Sequence, residues 1–164
     1  MYGPAGHFRI GIGYDSHRFA PPGPLILGGV SIPYEFHLEG HSDGDAIAHA
    51  LTDAILGAAG AGDIGEMFSN EDSANKGRNS IEMLKLAVSR IHGVGWRIKQ
   101  VDIVVITEKP KIGPQKDKMQ HVLAAALAVH PGDVSIKGKT NEGMGWIGNG
   151  EGLACMAVAT IEQA

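Results

Sequence analysis

The sequence predicts a two-layer α/β sandwich, a mixed sheet with helices on one face. Two observations carry that expectation. Stretches with strand character alternate along the chain with stretches of helical periodicity, and no repeat or internal linker separates them. The 164 residues also suffice for a single domain of the commonest size with a real core, preceded by a short floppy lead-in over residues 1–7.

The elements follow in order. Phe8 to Phe19 reads as a strand, with Ile10, Ile12 and Tyr14 alternating against Gly11, Gly13 and Asp15. Pro21-Pro22-Gly23-Pro24 breaks it. Leu25–Leu27 and Val30–Ile32 are short strand pieces around Gly28-Gly29. Ser42, with Asp45 three residues on, reads as a helix cap, and Ile47, Ala50, Leu51, Ala54, Ile55 and Ala58 form one helical stripe that ends at Gly60. Glu66 to Arg78 is polar and irregular, a candidate mobile loop. Ile81, Leu84, Leu86, Val88 and Ile91 mark a second helix stopped by Gly93. Val101 to Thr107 is β-branched and reads as a buried strand. Pro114 suits the first position of a third helix through Val129. Val134–Lys139 and Leu153–Ile161 complete the strands.

Composition narrows the function classes. Hydrophobic residues are 43% and charged residues 20%, as in an ordinary soluble domain. The formal net charge of −4, with no basic stripe interleaved with aromatics, argues against nucleic-acid binding. An anionic substrate remains compatible, because local metals and lysines override the global sign. The apolar run around Cys155 is too short to span a bilayer, so no membrane partner is expected. Cys155 is the only cysteine and reads as a buried small hydrophobe. With no signal pattern, the expected location is the bacterial cytoplasm, or a plastid stroma if a transit peptide has been removed.

Asp15 and His17 leave the same face of a strand, and His49 lies on a distant helix. A carboxylate and two imidazoles are the ligand set of a catalytic zinc, which keeps its fourth position open. Asp45, His49 and Asp53 are spaced by four on one helical face, so either Asp could orient the His49 ring. A phosphate could sit at the helix start beside His41 and Ser42. Thr107 to Gly113, with Lys139, Thr140 and Glu142, offers a tight turn, charge and a hydroxyl that could wrap a nucleotide base. The Gly-rich run 143–152 lacks the lysine and spacing of a P-loop.

Taken together, these segments resemble the 2-C-methyl-D-erythritol 2,4-cyclodiphosphate synthase family of the non-mevalonate isoprenoid pathway. The carriers are Arg9-Ile10-Gly11 through Tyr14-Asp15-Ser16-His17, Leu27-Gly28-Gly29-Val30, His41-Ser42-Asp43-Gly44-Asp45 to His49-Ala50, Gly62-Asp63-Ile64-Gly65, Pro110-Lys111, Lys139-Thr140-Asn141-Glu142 and Gly150-Glu151-Gly152. The resemblance implies a homotrimer of ferredoxin-like subunits with active sites between neighbours. It implies Zn²⁺, or another divalent transition metal, at Asp15, His17 and His49, and Mg²⁺ or Mn²⁺ at Glu142 and the substrate phosphates. It further implies a cytidine pocket from Thr107, Pro110, Lys111, Ile112 and Gly113 with Lys139 and Thr140, ribose contacts from Asp63 and Gly65 of the adjacent subunit, and His41 and Ser42 near the methylerythritol phosphate. The implied reaction is attack of the substrate's own 2-phosphate on its β-phosphorus, releasing CMP and a cyclic diphosphate.

Three positions depart from the family pattern. Phe68-Ser69-Asn70 stands where relatives usually have Phe-Pro-Asp, which removes an acid and a stiffening proline. Asn149 replaces an arginine linked to an anionic ligand in the central trimer cavity, and Trp146 replaces Phe or Tyr, enlarging an apolar wall. Two other functions fit the same residues: a zinc phosphohydrolase with Asp45 or Asp53 as general base, and a non-catalytic nucleotide-binding trimer.

Overall fold

The computed structural model describes residues 7–164, so the expected lead-in lies, His7 apart, outside the described residues. The chain opens with β1 (Phe8–Ala20), followed by the hairpin of β2 (Leu25–Leu27) and β3 (Val30–Ile32). Next come β4 (His37–Leu38), α1 (Ala46–Ala59), α2 (Ile64–Met67), α3 (Ser80–Gly93), β5 (Trp96–Ile106), α4 (Lys116–Leu127), β6 (Val134–Lys139), α5 (Gly145–Gly148) and β7 (Gly152–Gln163).

Most expected elements appear near their expected bounds. Pro114 opens a 3₁₀ turn, Gly113–Gln115, and α4 proper starts only at Lys116. Residues 66–78 are more regular than expected. They include the end of α2 and a 3₁₀ turn capped by Asp72, and the buried Asn75 side chain donates to the Ser69 carbonyl at 2.9 Å. The elements not foreseen, β4, α2 and α5, span two to four residues and are too short to show a period.

The five-stranded sheet has the order β4-β1-β7-β5-β6. Strand β7 pairs antiparallel with both β1 and β5, and β5 pairs parallel with β6. This corrects the ferredoxin-like expectation, whose connectivity is β-α-β-β-α-β. Here α4 crosses over between β5 and β6, as parallel neighbours require, and the principal order becomes β-α-β-α-β-β.

One continuous core joins the inner face of the sheet (Ile98, Val101, Ile103 and Val105 of β5; Leu153, Cys155, Ala157 and Ala159 of β7) to α1, α3 and α4. Cys155 is fully buried and burial pushes its thiol up, as expected of an inert hydrophobe. The outer face of the sheet is uncovered: Ile10 is 73% exposed and Ile12 64%, with Phe8, Tyr14 and Val158 also open to solvent.

Strand β1 therefore turns its glycines, not its isoleucines, toward the helices. A Cβ on Gly11 would fall 1.9 Å from the Ala54 carbonyl oxygen, and one on Gly13 would fall 1.8 Å from that of Ala50. Helix α1 lies backbone-close against β1. Two strand residues rise about 6.6 Å and four helix residues about 6 Å, so the contacts step in register along the antiparallel pair. The next inward residues on β1 are Asp15 and His17, and the next turn of α1 holds His49.

Candidate active site

The register of β1 against α1 brings together the three residues singled out from the sequence. Asp15 Oδ2 lies 2.7 Å from His17 Nε2 and 3.1 Å from His49 Nδ1, and the two ring nitrogens are 3.3 Å apart. Among the described residues this is the group of acid and imidazole side chains close enough to hold a metal ion. Ligands 2.0–2.1 Å from a tetrahedral zinc stand about 3.3–3.4 Å apart. The observed triangle, with sides of 2.7, 3.1 and 3.3 Å, approaches that spacing.

The far side of each ring fits the same role. The Glu39 carbonyl can only accept, so His17 donates to it from Nδ1 at 2.6 Å and turns Nε2 inward. His49 Nε2 lies 2.8 Å from the hydroxyls of both Ser42 and Ser80. Burial works against charge on both Asp15 and His17, but their hydrogen bond and mutual attraction outweigh it. The Asp15 carboxyl is held below its ordinary range and the His17 imidazole above its own.

Three expectations about the neighbouring residues change. Asp45, not Ser42, caps α1: its Oδ1 accepts from Ala48 N–H at 3.1 Å and from Gly28 N–H at 2.9 Å, and its Oδ2 from Gly29 N–H at 2.7 Å. Fully buried among those donors, Asp45 neither orients His49 nor serves as a base. Burial pushes its carboxyl up, and the three donors oppose that shift. Asp53 accepts from Ile64 N–H at 2.8 Å, tying α1 to α2, and also does not reach the His49 ring. Sequence reasoning missed Asp43 and Ser80, the residues behind His49. No local signal marks them, since they stand 37 positions apart.

The cluster opens into a cavity of ≈ 210 Å³ lined also by His41, Ser42, Gly65 and Asn70. The Nε2 of His41 is buried without a hydrogen-bond partner. Asp63 caps α2 by accepting from Glu66 N–H at 2.8 Å and is exposed, so Gly65 rather than Asp63 lines this cavity. Thr107, Pro110, Lys111, Ile112, Gly113, Lys139 and Thr140 gather around a second cavity of ≈ 260 Å³, at the ends of β5 and β6. The two cavities share no lining residue. Glu142 sits on the exposed turn after β6 in the left-handed region, at φ 54°, and does not join the Asp15 cluster. Glu108 braces that turn from both sides, its Oε1 accepting from Asn141 N–H at 2.8 Å and Gly143 N–H at 3.3 Å. Trp146 and Asn149 fall in and just after α5, where Trp146 shares a groove with Arg18 and Glu151.

Fold and cluster define a mixed α/β protein built around a carboxylate and two metal-ready imidazoles. The chain belongs to the YgbB family, whose profile matches residues 8–162. Its relatives include the 2-C-methyl-D-erythritol 2,4-cyclodiphosphate synthase of Gemmatimonas aurantiaca, 61% identical over 93% of this chain and 92% of that one. The synthase of the same name from Erwinia tasmaniensis is 48% identical over 95% and 99%. Among solved structures, IspF of Plasmodium falciparum in complex with CDP superposes with a TM-score of 0.84 at 35% identity, over 95% of this chain and 96% of that one. The bifunctional IspDF of Campylobacter jejuni gives a TM-score of 0.94 at 39% identity over 98% of this chain, which spans 44% of that longer protein. Among the described residues, no helix is long and apolar enough to cross a membrane.

Proposed function

We propose that this chain converts 4-diphosphocytidyl-2-C-methyl-D-erythritol 2-phosphate to 2-C-methyl-D-erythritol 2,4-cyclodiphosphate and CMP, a phosphorus–oxygen lyase of isoprenoid precursor synthesis. The observation that carries the reading is the convergence of Asp15, His17 and His49 with both rings fixed for ligation, in a chain 61% identical to a synthase of that name.

The chemistry is an electrostatic problem. Two phosphates must meet, and unit negative charges about 4 Å apart repel by about 4 kcal/mol at an effective dielectric of 20. A divalent ion held by Asp15, His17 and His49 would supply charge neutralisation and polarise a phosphate oxygen. Glu142 is suited to hold a second ion, Mg²⁺ or Mn²⁺, against the diphosphate. His41, with an unpartnered buried nitrogen, and Ser42 line the cavity into which the cluster opens and are suited to hold the attacking phosphate. The Thr107–Gly113 turn with Lys139 and Thr140 encloses a space suited to the cytosine. The nucleophile belongs to the substrate, so the chain's contribution is positioning and charge.

Two observations support a homotrimer with sites between subunits. The outer face of the sheet exposes a contiguous apolar surface that an isolated domain would not leave in water. The cation cluster and the base-sized cavity have no residue in common, so a substrate reaching both suits two half-sites from neighbouring chains. Each chain then acts as a single catalytic domain, and the bacterial relatives favour the bacterial cytoplasm.

The test is product analysis. With purified protein, substrate, Zn²⁺ and Mg²⁺, the expected products are CMP and a cyclic diphosphate. His49→Ala is expected to lower turnover by at least about 10³-fold and to lose stoichiometric zinc by elemental analysis. Inorganic phosphate with a linear product would instead establish a hydrolase.

A further inference from the structure

We propose that Ser80 and Asp43 form a positioning arm that fixes the tautomer of His49 and thereby sets the metal affinity of the cluster. The inference rests on the reading of Asp15, His17 and His49 as a cation site.

The direction of each proton follows from which groups can donate. Both oxygens of the Asp43 carboxylate accept only. Its Oδ2 takes Ser80 N–H at 3.1 Å, and its Oδ1 takes Asp45 N–H at 3.1 Å and, in a short contact, the Ser80 hydroxyl. The Ser80 proton is therefore committed to Asp43, and the Ser80 oxygen is left as an acceptor toward the ring. His49 Nε2, 2.8 Å away, must then carry the ring proton. His49 Nδ1 is left as a lone pair aimed at Asp15 Oδ2 and His17 Nε2.

Ser42 lies equally near the ring, with its oxygen 2.8 Å from Nε2. Its hydroxyl has no carboxylate behind it: the other neighbour is Ser80 Oγ at 3.4 Å. Ser42 can thus turn to a ligand in the cavity it lines, and Ser80 cannot. Ser80 is fully buried as the first residue of α3, so the arm is part of the scaffold and not of the cavity wall. Partners behind metal-bound histidines typically govern affinity by 10- to 100-fold.

Two readouts on the full-length protein test the arm. In the metal-free protein, the ¹⁵N shifts of the His49 ring are expected to show a single Nε2–H tautomer. Ser80→Ala is expected to give a mixture and to weaken zinc, measured by chelator competition, by about 10- to 100-fold. Asp43→Asn is expected to act in the same direction with a lower melting temperature, because Asp43 also anchors the first N–H of α3. Ser80→Ala keeps that anchor and separates positioning from folding. Ser42→Ala is expected to leave zinc affinity within about threefold of wild type. An unchanged His49 tautomer with unchanged zinc affinity in Ser80→Ala overturns the proposal, as does a Ser42→Ala loss equal to that of Ser80→Ala. A wild-type protein without zinc affinity whose His49 tautomer still shifts in Ser80→Ala would uphold the arm and sink the metal reading instead.

Discussion

In the metal-free protein, below the folded pKa of His17, a proton stands where the cation would sit. His17 donates from Nδ1 to the Glu39 carbonyl, and a second proton on Nε2 faces both Asp15 Oδ2 at 2.7 Å and His49 Nδ1 at 3.3 Å. That arrangement holds the His17 imidazole above its ordinary range and the Asp15 carboxyl below its own despite the burial of both. The signs define a window. A raised imidazole contributes stability below its unfolded pKa and loses it as pH rises through the folded value. A depressed carboxyl contributes above its unfolded pKa and loses it as pH falls through the folded value. Between those two folded values the metal-free pair stabilises the protein. Metal binding must expel the His17 Nε2 proton, so zinc affinity should fall by about tenfold per pH unit below the folded pKa of His17. Calorimetry in buffers of different ionisation enthalpy should register proton release on binding near pH 6.5. A heat independent of the buffer there would contradict this account of the site.

At the scale of elements, the site is a by-product of how closely α1 approaches β1. Gly11 and Gly13 offer no side chain, so the Ala50 and Ala54 carbonyls lie where a Cβ would stand. Gly13→Ala would have to push the helix off the strand, because the obstructing atoms are backbone. The expected cost is about 3 kcal/mol, read as a lower urea midpoint. The same variant should lose zinc affinity, since it separates His49 from Asp15 and His17 without altering any of them. Retention of tight zinc binding in a folded Gly13→Ala protein would show that another element sets the spacing. These elements also decide what was legible in the sequence. Asp15 and His17 could be paired because strand period places i and i+2 on one face. The long helices and the β2–β3 hairpin were readable from stripes and turn residues. The burial sense of β1 was not, because alternation of Ile with Gly does not say which face meets a helix. The sheet order depended on the α4 crossover between β5 and β6, a connection no local pattern fixes. The roles of Asp43, Ser80 and Asp45 were hidden for a related reason. Helical spacing put Asp45 and Asp53 beside His49, whereas the hydrogen bonds that matter run to Gly28 and Gly29 in one case and through Ser80 in another.

For the whole molecule, the separation of the two cavities makes subunit arrangement testable without a structure of the assembly. His49 belongs to the cluster at β1 and α1, and Glu142 to the turn after β6. If one active site takes its His49 from one chain and its Glu142 from the next, two crippled chains can complement each other. His49→Ala and Glu142→Ala proteins, each inactive alone, would be mixed in equal amounts, partly unfolded together and reassembled. A site is intact when the chain lending the cluster carries Glu142→Ala and the neighbour lending the turn carries His49→Ala. Random assembly of a closed ring makes this true for about one site in four. About a quarter of the wild-type activity should return, with no zinc bound at the His49→Ala clusters. If both groups served the same site from one chain, every site would lack one of them and the mixture would stay as inactive as its components. The outer sheet face supplies the internal control. Ile12→Glu, placed in the exposed apolar surface and lining neither cavity, should abolish the recovered activity by preventing assembly while leaving zinc bound to the separated chains.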